Sequence, residues 1–257
     1  MPTKQARIRI YIHPLSIACY NIVKTLEAES LLDRVVIVNT SVVGASGIIR
    51  HGVWSVPWIT VDGKPLATEP IPVDEVIDII VYGRAHEVHD PVEAFINTIV
   101  ASTLASAIAF LHGSLYPVLD KALAMAAVRE PLTGIDTDKL LEEVRSRERE
   151  IYSDAEEKLV RSLAIAFMSD IWWIVRGKCS EIEGLVRDEV VALWLIAKAS
   201  IGRLGLPPRP SISMERIGML RAFIEDNLKG LCNRVVKDYE TILSDEEYWR
   251  LLAAYAR

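Results

Sequence analysis

The sequence predicts an α/β N-terminal domain followed by an all-α C-terminal domain. Alternating and short apolar runs, bounded by turn residues, occur only in the first third of the chain, whereas long helical patterns fill the rest. A polar segment with two histidines and a closing proline separates these regions. We therefore predict an α/β domain over residues 1–83, a linker over 84–90 and a helical domain over 91–257.

Composition excludes several classes of protein. With 257 residues, 51% of them hydrophobic and 25% charged, the chain is long and apolar enough for an ample folded core. The formal net charge of −6, with no basic run, argues against binding nucleic acid. A single glutamine and scarce asparagine are typical of a thermophile.

Three cysteines are too few and too scattered to predict a disulfide framework or a zinc site. The N-terminus enters a strand pattern directly, without the features of a signal peptide. We therefore expect a cytoplasmic protein.

The first strand and helix carry the candidate chemistry. Apolar residues alternate with others over residues 8–12, which indicates a strand, and Pro14 ends it. Ser16 then occupies an N-cap position before a helix, with Cys19 in the first turn. The amide groups and dipole at a helix start favour a thiolate or carboxylate. The alternative is that Ser16 is only a cap and Cys19 only a small buried residue.

The next elements follow in a regular order. Residues 35–38 form a short apolar run typical of a buried strand. The pattern around Thr60 predicts another strand, Asp62-Gly63 a hairpin turn, and residues 66–68 the returning strand. A helix is predicted over residues 73–81. The order is strand–helix–strand, then hairpin–helix.

This order, together with two motifs, resembles the thioredoxin-fold superfamily and, more closely, the serine-type glutathione transferases. Pro14-Leu-Ser16-Ile-Ala-Cys19 is similar to their Pro-x-Ser-x-x-Cys motif, and Val56-Pro57 is similar to their Val-Pro. The resemblance implies that Ser16 activates a bound thiol and that the Val56–Pro57 bond is cis.

The resemblance also implies binding residues for the thiol. The backbone of Val56, before the cis Pro57, would pair with the peptide part of glutathione, and Glu69 would grip its γ-glutamyl end. Pro70 stands where the family has serine, and it lacks both a hydroxyl and an N–H. His51 lies near a position where related enzymes have a polar glutathione contact, although its distance from Pro57 differs from theirs.

The linker offers a second candidate cluster. His86 and His89, with Glu87 and Asp90, suggest a metal site. The histidines are one residue closer together than in the His-Glu-x-x-His zinc motif. We therefore predict a solvated linker and no metal cofactor.

Helical patterns then continue to the end of the chain. The predicted helices cover 92–129 with a bend at Gly113 or Pro117, 138–167, 181–201, 213–243, and a last helix capped by Ser244. Residues 170–176 form a strongly apolar stretch that holds Trp172 and Trp173.

One of these patterns raises the question of a membrane span. Residues 94–118 contain no formally charged side chain and are long enough to span a bilayer. Serine, threonine and asparagine interrupt the stretch, and no basic cluster flanks it. We expect a helix buried in protein rather than in lipid.

Two functional hypotheses remain. In the first, the protein is an enzyme in which Ser16 activates glutathione or another small thiol for transfer to, or reduction of, a small electrophile. In a variant of this hypothesis Cys19 is the redox thiol, although it lacks a CxxC partner. In the second, the protein is a non-catalytic binding or assembly module, which Pro70 and the long tryptophan-containing helical domain favour. That domain leaves room for a homodimer or protein-partner surface.

Overall fold

A computed structural model describes residues 8–43, 52–203 and 213–256, with the side chains of 201–203 left undescribed. The α/β region contains, in chain order, β1 (Ile8–Ile12), α1 (Ile17–Ala28), β2 (Val35–Asn39), β3 (Trp58–Val61), β4 (Lys64–Thr68) and α2 (Val73–Tyr82). Each of these elements lies within two residues of its predicted position.

The strands form one mixed sheet in the order β2-β1-β3-β4. Strands β1 and β2 are parallel, whereas β1–β3 and β3–β4 are antiparallel. The β3–β4 hairpin turns at Asp62 and Gly63, which both have positive φ, 50° and 82°. Such a turn matches the twist of the flanking strands, and Asp-Gly suits it. The arrangement is compatible with a thioredoxin-like fold.

Helix α1 packs one face into the core of this region. Its buried residues recur at helical spacing and are Cys19, Ile22, Val23 and Leu26. They join buried isoleucines of β1, β2 and β3 in one hydrophobic cluster. Complete burial of such a side chain stabilises the fold by about 1.5–3 kcal/mol.

The remaining elements are helical. In chain order they are α3 (Pro91–Ala101), α4 (Thr103–His112), α5 (Lys121–Val128), α6 (Glu130–Thr133), α7 (Thr137–Ser146), α8 (Glu148–Ile174), α9 (Cys179–Ile182), α10 (Asp188–Arg203), α11 (Met214–Ser244) and α12 (Glu246–Tyr255). Residues 84–90, between α2 and α3, contain neither helix nor strand. A mixed sheet near the N-terminus is thus followed by a mostly helical region, as predicted.

The helical stretch predicted over 92–129 does end a helix at Gly113, where a bend was predicted, but the chain also breaks at Ser102, which was not predicted. Ser102 has an extended backbone and caps α4. The Ser106 hydroxyl donates to the carbonyls of Ile99 at 2.8 Å and Val100 at 2.9 Å. Hydroxyl groups therefore satisfy carbonyls near the end of α3, and this makes the break tolerable inside protein.

Other predicted helix boundaries also require correction. The helix predicted over 138–167 is divided at Arg147, whose φ of −113° and ψ of 16° lie outside helical geometry. The predicted N-cap Ser244 instead ends α11, and Asp245 caps α12. The Asp245 carboxylate accepts from the Tyr248 N–H at 2.9 Å, which Ser244 would reach only if the helix began one residue earlier.

One disulfide is present, which the scattered cysteines did not indicate. Cys179, at the start of α9, and Cys232, in α11, form a disulfide with their Cα atoms 6.2 Å apart. They are separated by 53 residues, so only the packing of α9 and α11 brings them together. Cys19 is free and buried.

The chain divides into two compact units. One comprises Met1–Thr98, Asp120–Glu143 and Ile242–Arg257, and the other comprises Ile99–Leu119 and Val144–Thr241. The domain boundaries expected at 84–90 stay a prediction.

Within the described residues, no single helix is long and apolar enough to cross a membrane. Helices α3 and α4 reach that length and composition only when taken together across their break. Residues 105–111 of α4 are buried in the protein, as expected for this apolar stretch.

Candidate functional site

Strand register brings the predicted site segments to one end of the sheet. Tyr11, near the end of β1, pairs with Trp58, the first residue of β3, and Trp58 pairs with Thr68, the last residue of β4. Pro57 precedes Trp58 and Glu69 follows Thr68. The turn after β1, which leads to Ser16, therefore lies at the same sheet end as Pro57 and Glu69.

The Val56–Pro57 peptide bond is cis, which confirms the geometry implied by the resemblance. The Thr68 hydroxyl donates to the Pro57 carbonyl at 2.9 Å, and both residues are buried. The end of β4 therefore holds the proline segment in place. The Glu69–Pro70 bond directly after this contact is also cis.

Ser16 is the N-cap of α1, as predicted. Its φ of −85° and ψ of 123° are extended, and its hydroxyl accepts from the Cys19 N–H at 3.4 Å. Its own N–H donates to the His13 carbonyl at 3.0 Å, which closes the turn after β1. Ser16 is half-buried. The same side chain also hydrogen-bonds the Cys19 thiol, so a ligand atom placed over the helix start would have to take that hydrogen bond from the buried sulfur.

Cys19 is fully buried, and burial raises its pKa to about 12. A hydrogen bond from the side chain of Ser16 and a backbone contact at His13 lower the pKa, whereas the Glu69 carboxylate raises it. Desolvation is the largest of these effects, so the thiol stays protonated at neutral pH. The geometry supports the interpretation of Cys19 as a small buried residue and gives no support to Cys19 as the redox thiol.

Residues of α12 lie against this turn, and sequence reasoning did not find them. The buried Tyr248 hydroxyl donates to the Pro14 carbonyl at 2.9 Å. The Tyr20 hydroxyl donates to Asp245 at 2.9 Å. Tyr248 lies 234 residues beyond Pro14, so no local pattern could have indicated the contact.

The segment before the cis-proline is also anchored. The Trp54 indole N–H donates to the Asp120 carboxylate at 3.1 Å. Asp120 is the N-cap of α5 and accepts from the Leu123 N–H at 2.9 Å. A single carboxylate therefore orders both the start of α5 and the loop that leads to Pro57.

The predicted linker lines a separate cavity of about 330 Å³. At its wall, the buried Glu75 carboxylate accepts from Arg129 Nη2 at 2.9 Å and from the His86 N–H at 3.1 Å. The His86 ring lies 3.3 Å from Asp78. No group of three or more metal-ligating side chains among the described residues is arranged to hold an ion. Ser16 does not line this cavity.

His51 lies outside the described residues. No protein-family model, curated protein sequence or solved structure matches the chain. The candidate site therefore consists of the residues at the end of the sheet: Ser16, Val56, Pro57, Glu69 and Pro70.

Proposed function

We propose that this protein is a glutathione-transferase-like thiol-binding protein, in which Ser16 activates a small thiol for transfer to, or reduction of, an electrophile. One observation carries the proposal. A half-buried serine caps α1 at the same sheet end as a cis Val56–Pro57 bond and Glu69. A helix start capped by a serine hydroxyl favours bound negative charge.

The proposed chemistry is nucleophilic substitution by sulfur. The Ser16 hydroxyl donates to the thiol sulfur, and the thiol proton passes to solvent. The thiolate then forms a carbon–sulfur bond while the leaving group departs with its electron pair. In the reductive version, the thiolate attacks a hydroperoxide oxygen and an alcohol leaves. A second thiol then converts the sulfenic acid to a disulfide and water.

Pro70 limits how well glutathione itself fits. Proline lacks the hydroxyl and the N–H that a serine would offer to the γ-glutamyl carboxylate. Each lost hydrogen bond to a charged group costs roughly 1.5–3 kcal/mol, so two weaken binding by about a hundredfold or more. We expect weak or undetectable glutathione binding by the natural chain and partial recovery in Pro70→Ser.

Calorimetric titration with glutathione tests this expectation, after a thermal-shift screen of glutathione, cysteine, cysteamine and coenzyme A. The proteins are the wild type, Pro70→Ser, and Pro70→Ser that also carries either Ser16→Ala or, as a matched control that removes a serine N-cap from another helix, Ser102→Ala. Binding by Pro70→Ser that Ser102→Ala leaves unchanged and Ser16→Ala abolishes supports the proposal. No thiol binding by the wild type or Pro70→Ser contradicts it.

Dithiol reductase activity is not expected. Cys19 has serine at position 16 instead of a second cysteine, and the other two cysteines are paired with each other. The insulin turbidity assay should show no reduction above background. Robust reduction that Cys19→Ser abolishes would overturn this expectation and restore the redox version of the hypothesis.

The second candidate, a non-catalytic binding or assembly module, is favoured by exposed apolar side chains of α8 and α10. Trp173, Ile174 and Leu193 are 41%, 69% and 68% exposed. The two candidates differ in ligand binding: a module binds none of the four thiols, whereas an enzyme binds at least one. The thermal-shift screen separates them, and sedimentation at several concentrations tests whether the exposed side chains mediate self-association.

A further inference from the structure

Helix α12 contacts the beginning of α1 at several points. The Tyr248 hydroxyl bonds the Pro14 carbonyl, and the Tyr248 ring meets the Tyr20 ring edge-on with centroids 4.9 Å apart. The Tyr20 hydroxyl donates to Asp245, and the Lys24 ammonium lies 3.4 Å from the same carboxylate. The last helix therefore contacts both the turn before α1 and the first two turns of α1.

The Tyr248 contact acts directly on the segment that carries Ser16. Pro14 lies two residues before Ser16 and is buried, so its carbonyl has no easy access to water. The hydrogen bond from Tyr248 fixes the orientation of the peptide group that leads into Ser16. Without that hydroxyl, a buried acceptor would lose its partner and the turn would have to move or admit water.

Tyr248 is itself held in position from two sides. Asp245 caps α12 by accepting from the Tyr248 N–H at 2.9 Å. The ring has no exposed surface and belongs to the same hydrophobic cluster as Cys19, Ile22 and Leu26 of α1. A ring fixed by packing and by a helix cap can deliver its hydroxyl to one place only.

We infer that α12 is a positioning element of the proposed thiol site, and that Tyr248 is the positioning residue for the turn bearing Ser16. The identification of the ligand as a thiol rests on the proposed function, whereas the positioning of the turn does not. Tyr248 acts through the Pro14 peptide group and does not need to touch a ligand. Its loss therefore changes the placement of the Ser16 hydroxyl while leaving that hydroxyl present.

The test compares Tyr248→Phe, which removes only the hydroxyl, with Tyr255→Phe, a matched change at a 37% exposed tyrosine of the same helix. Hydrogen–deuterium exchange of the amides of residues 15–19 is the first readout. We expect exchange to be roughly fivefold faster in Tyr248→Phe, since about one net hydrogen bond is lost, and unchanged in Tyr255→Phe.

The second readout is the pH profile of thiolate absorbance for bound glutathione, measured in the Pro70→Ser background. With Ser16 displaced, the bound thiol should ionise at higher pH in the Tyr248→Phe protein, whereas its pH profile with Tyr255→Phe should not move. Tyr20→Phe serves as a second variant if Tyr248→Phe does not fold. It loosens α12 through Asp245 without touching Pro14, so the amides of 15–19 should exchange faster by a smaller factor.

Unchanged exchange at residues 15–19 in the folded variants overturns the inference, whatever glutathione does. Faster exchange together with no glutathione binding by the Pro70→Ser protein supports the positioning role and contradicts the proposed function. If exchange is faster but the pH profile of the bound thiol does not shift, Tyr248 stabilises the turn without affecting the thiol, and its role at the site is overturned.

Discussion

The starts of α1 and α4 contain the same local feature in two different settings. Ser16 accepts from the N–H of Cys19 at 3.4 Å, and Ser102 accepts from the N–H of Ala105 at 3.2 Å. Ser102 is fully buried, whereas Ser16 is half-buried. The sequence predicted the cap at Ser16 but not the one at Ser102, which lay inside a predicted helix; both serines cap a helix in the structure, so the cap alone does not indicate a ligand site.

The surroundings of the two serines do differ. Near Ser102, the hydroxyls of Ser106 and Ser162 donate to carbonyls of Ile99 and Val100, so the neighbouring polar groups stabilise a break between helices. Near Ser16, the neighbours are a buried thiol, a carboxylate and a tyrosine hydroxyl that holds the turn. The proposal of a ligand site at Ser16 therefore depends on the side chains around the cap and not on the cap itself.

The largest effect on stability is expected near Ser102, at the start of α4. Ser106→Ala removes the hydroxyl that bonds the buried Ile99 carbonyl, and leaving that group unsatisfied costs about 1–3 kcal/mol. The free energy of unfolding, measured by urea denaturation, should fall accordingly. Ser162→Ala is the control with a smaller loss, because Val100 keeps its bond from Ser106. If Ser106→Ala has the same free energy of unfolding as the wild type, the Ser106 hydroxyl does not stabilise the break between α3 and α4.

Removing either serine N-cap should lower the free energy of unfolding by less than Ser106→Ala does, and by different amounts in the two helices. Replacing a serine N-cap by alanine costs about 0.5–2 kcal/mol. We expect Ser102→Ala to lie toward the upper end, because Ala105 is fully buried, and Ser16→Ala toward the lower end, because water reaches a half-buried turn more easily. The same urea series measures both. Ser16→Thr and Ser102→Thr keep the hydroxyl and control for side-chain removal. If the two alanine variants lose the same free energy of unfolding, the two caps do not differ in the way we expect.

The thiol beside Ser16 should make stability depend on alkaline pH. Burial raises the Cys19 pKa from 9.0 to about 12, so the unfolded chain releases this proton first. The contribution is complete below pH 9.0 and is lost as the pH rises toward about 12. Burial also raises the pKa of Tyr20 and Tyr248, so the measurement is the difference between wild type and Cys19→Ala.

Urea denaturation at about pH 7 and about pH 10 gives that difference. The stability of Cys19→Ala should fall less between the two conditions than that of the wild type. A steeper fall in the variant would contradict the burial of the thiol.

The smallest effect is a labelling pattern without any change in stability. Native protein should not react with iodoacetamide at neutral pH, because Cys19 is buried and the other cysteines are paired. Denatured protein should take up one label without reductant and three labels after reduction, which intact mass spectrometry counts. Native labelling would show that the thiol beside Ser16 is accessible.

Short-range patterns were sufficient for much of the α/β region. Alternation at residues 8–12, the Asp62-Gly63 turn and the cap at Ser16 are decided by neighbours in sequence, and the structure confirms them. The cis Val56–Pro57 bond came from the family resemblance, because most X-Pro bonds are trans and no local pattern distinguishes the exception.

Long-range contacts were not readable. The helix break at Ser102 depends on hydroxyls that find carbonyls after folding, and the Cys179–Cys232 pair depends on the packing of two helices. Nothing in the local pattern of the last helix distinguishes Tyr248 from its neighbours. Its role is visible only when the structure brings it to Pro14.

The isolated bridge between Ile37 and Ala256 protects one side of the sheet. Strand β2 is at the edge of the sheet, and an open edge is a template on which strands of other molecules can assemble. Ala256, directly after α12, makes a parallel bridge with Ile37 in the middle of β2. A foreign strand would therefore have to displace this segment before it could extend the sheet. The helix that holds the turn at Ser16 thus also places a residue that opposes edge-to-edge aggregation.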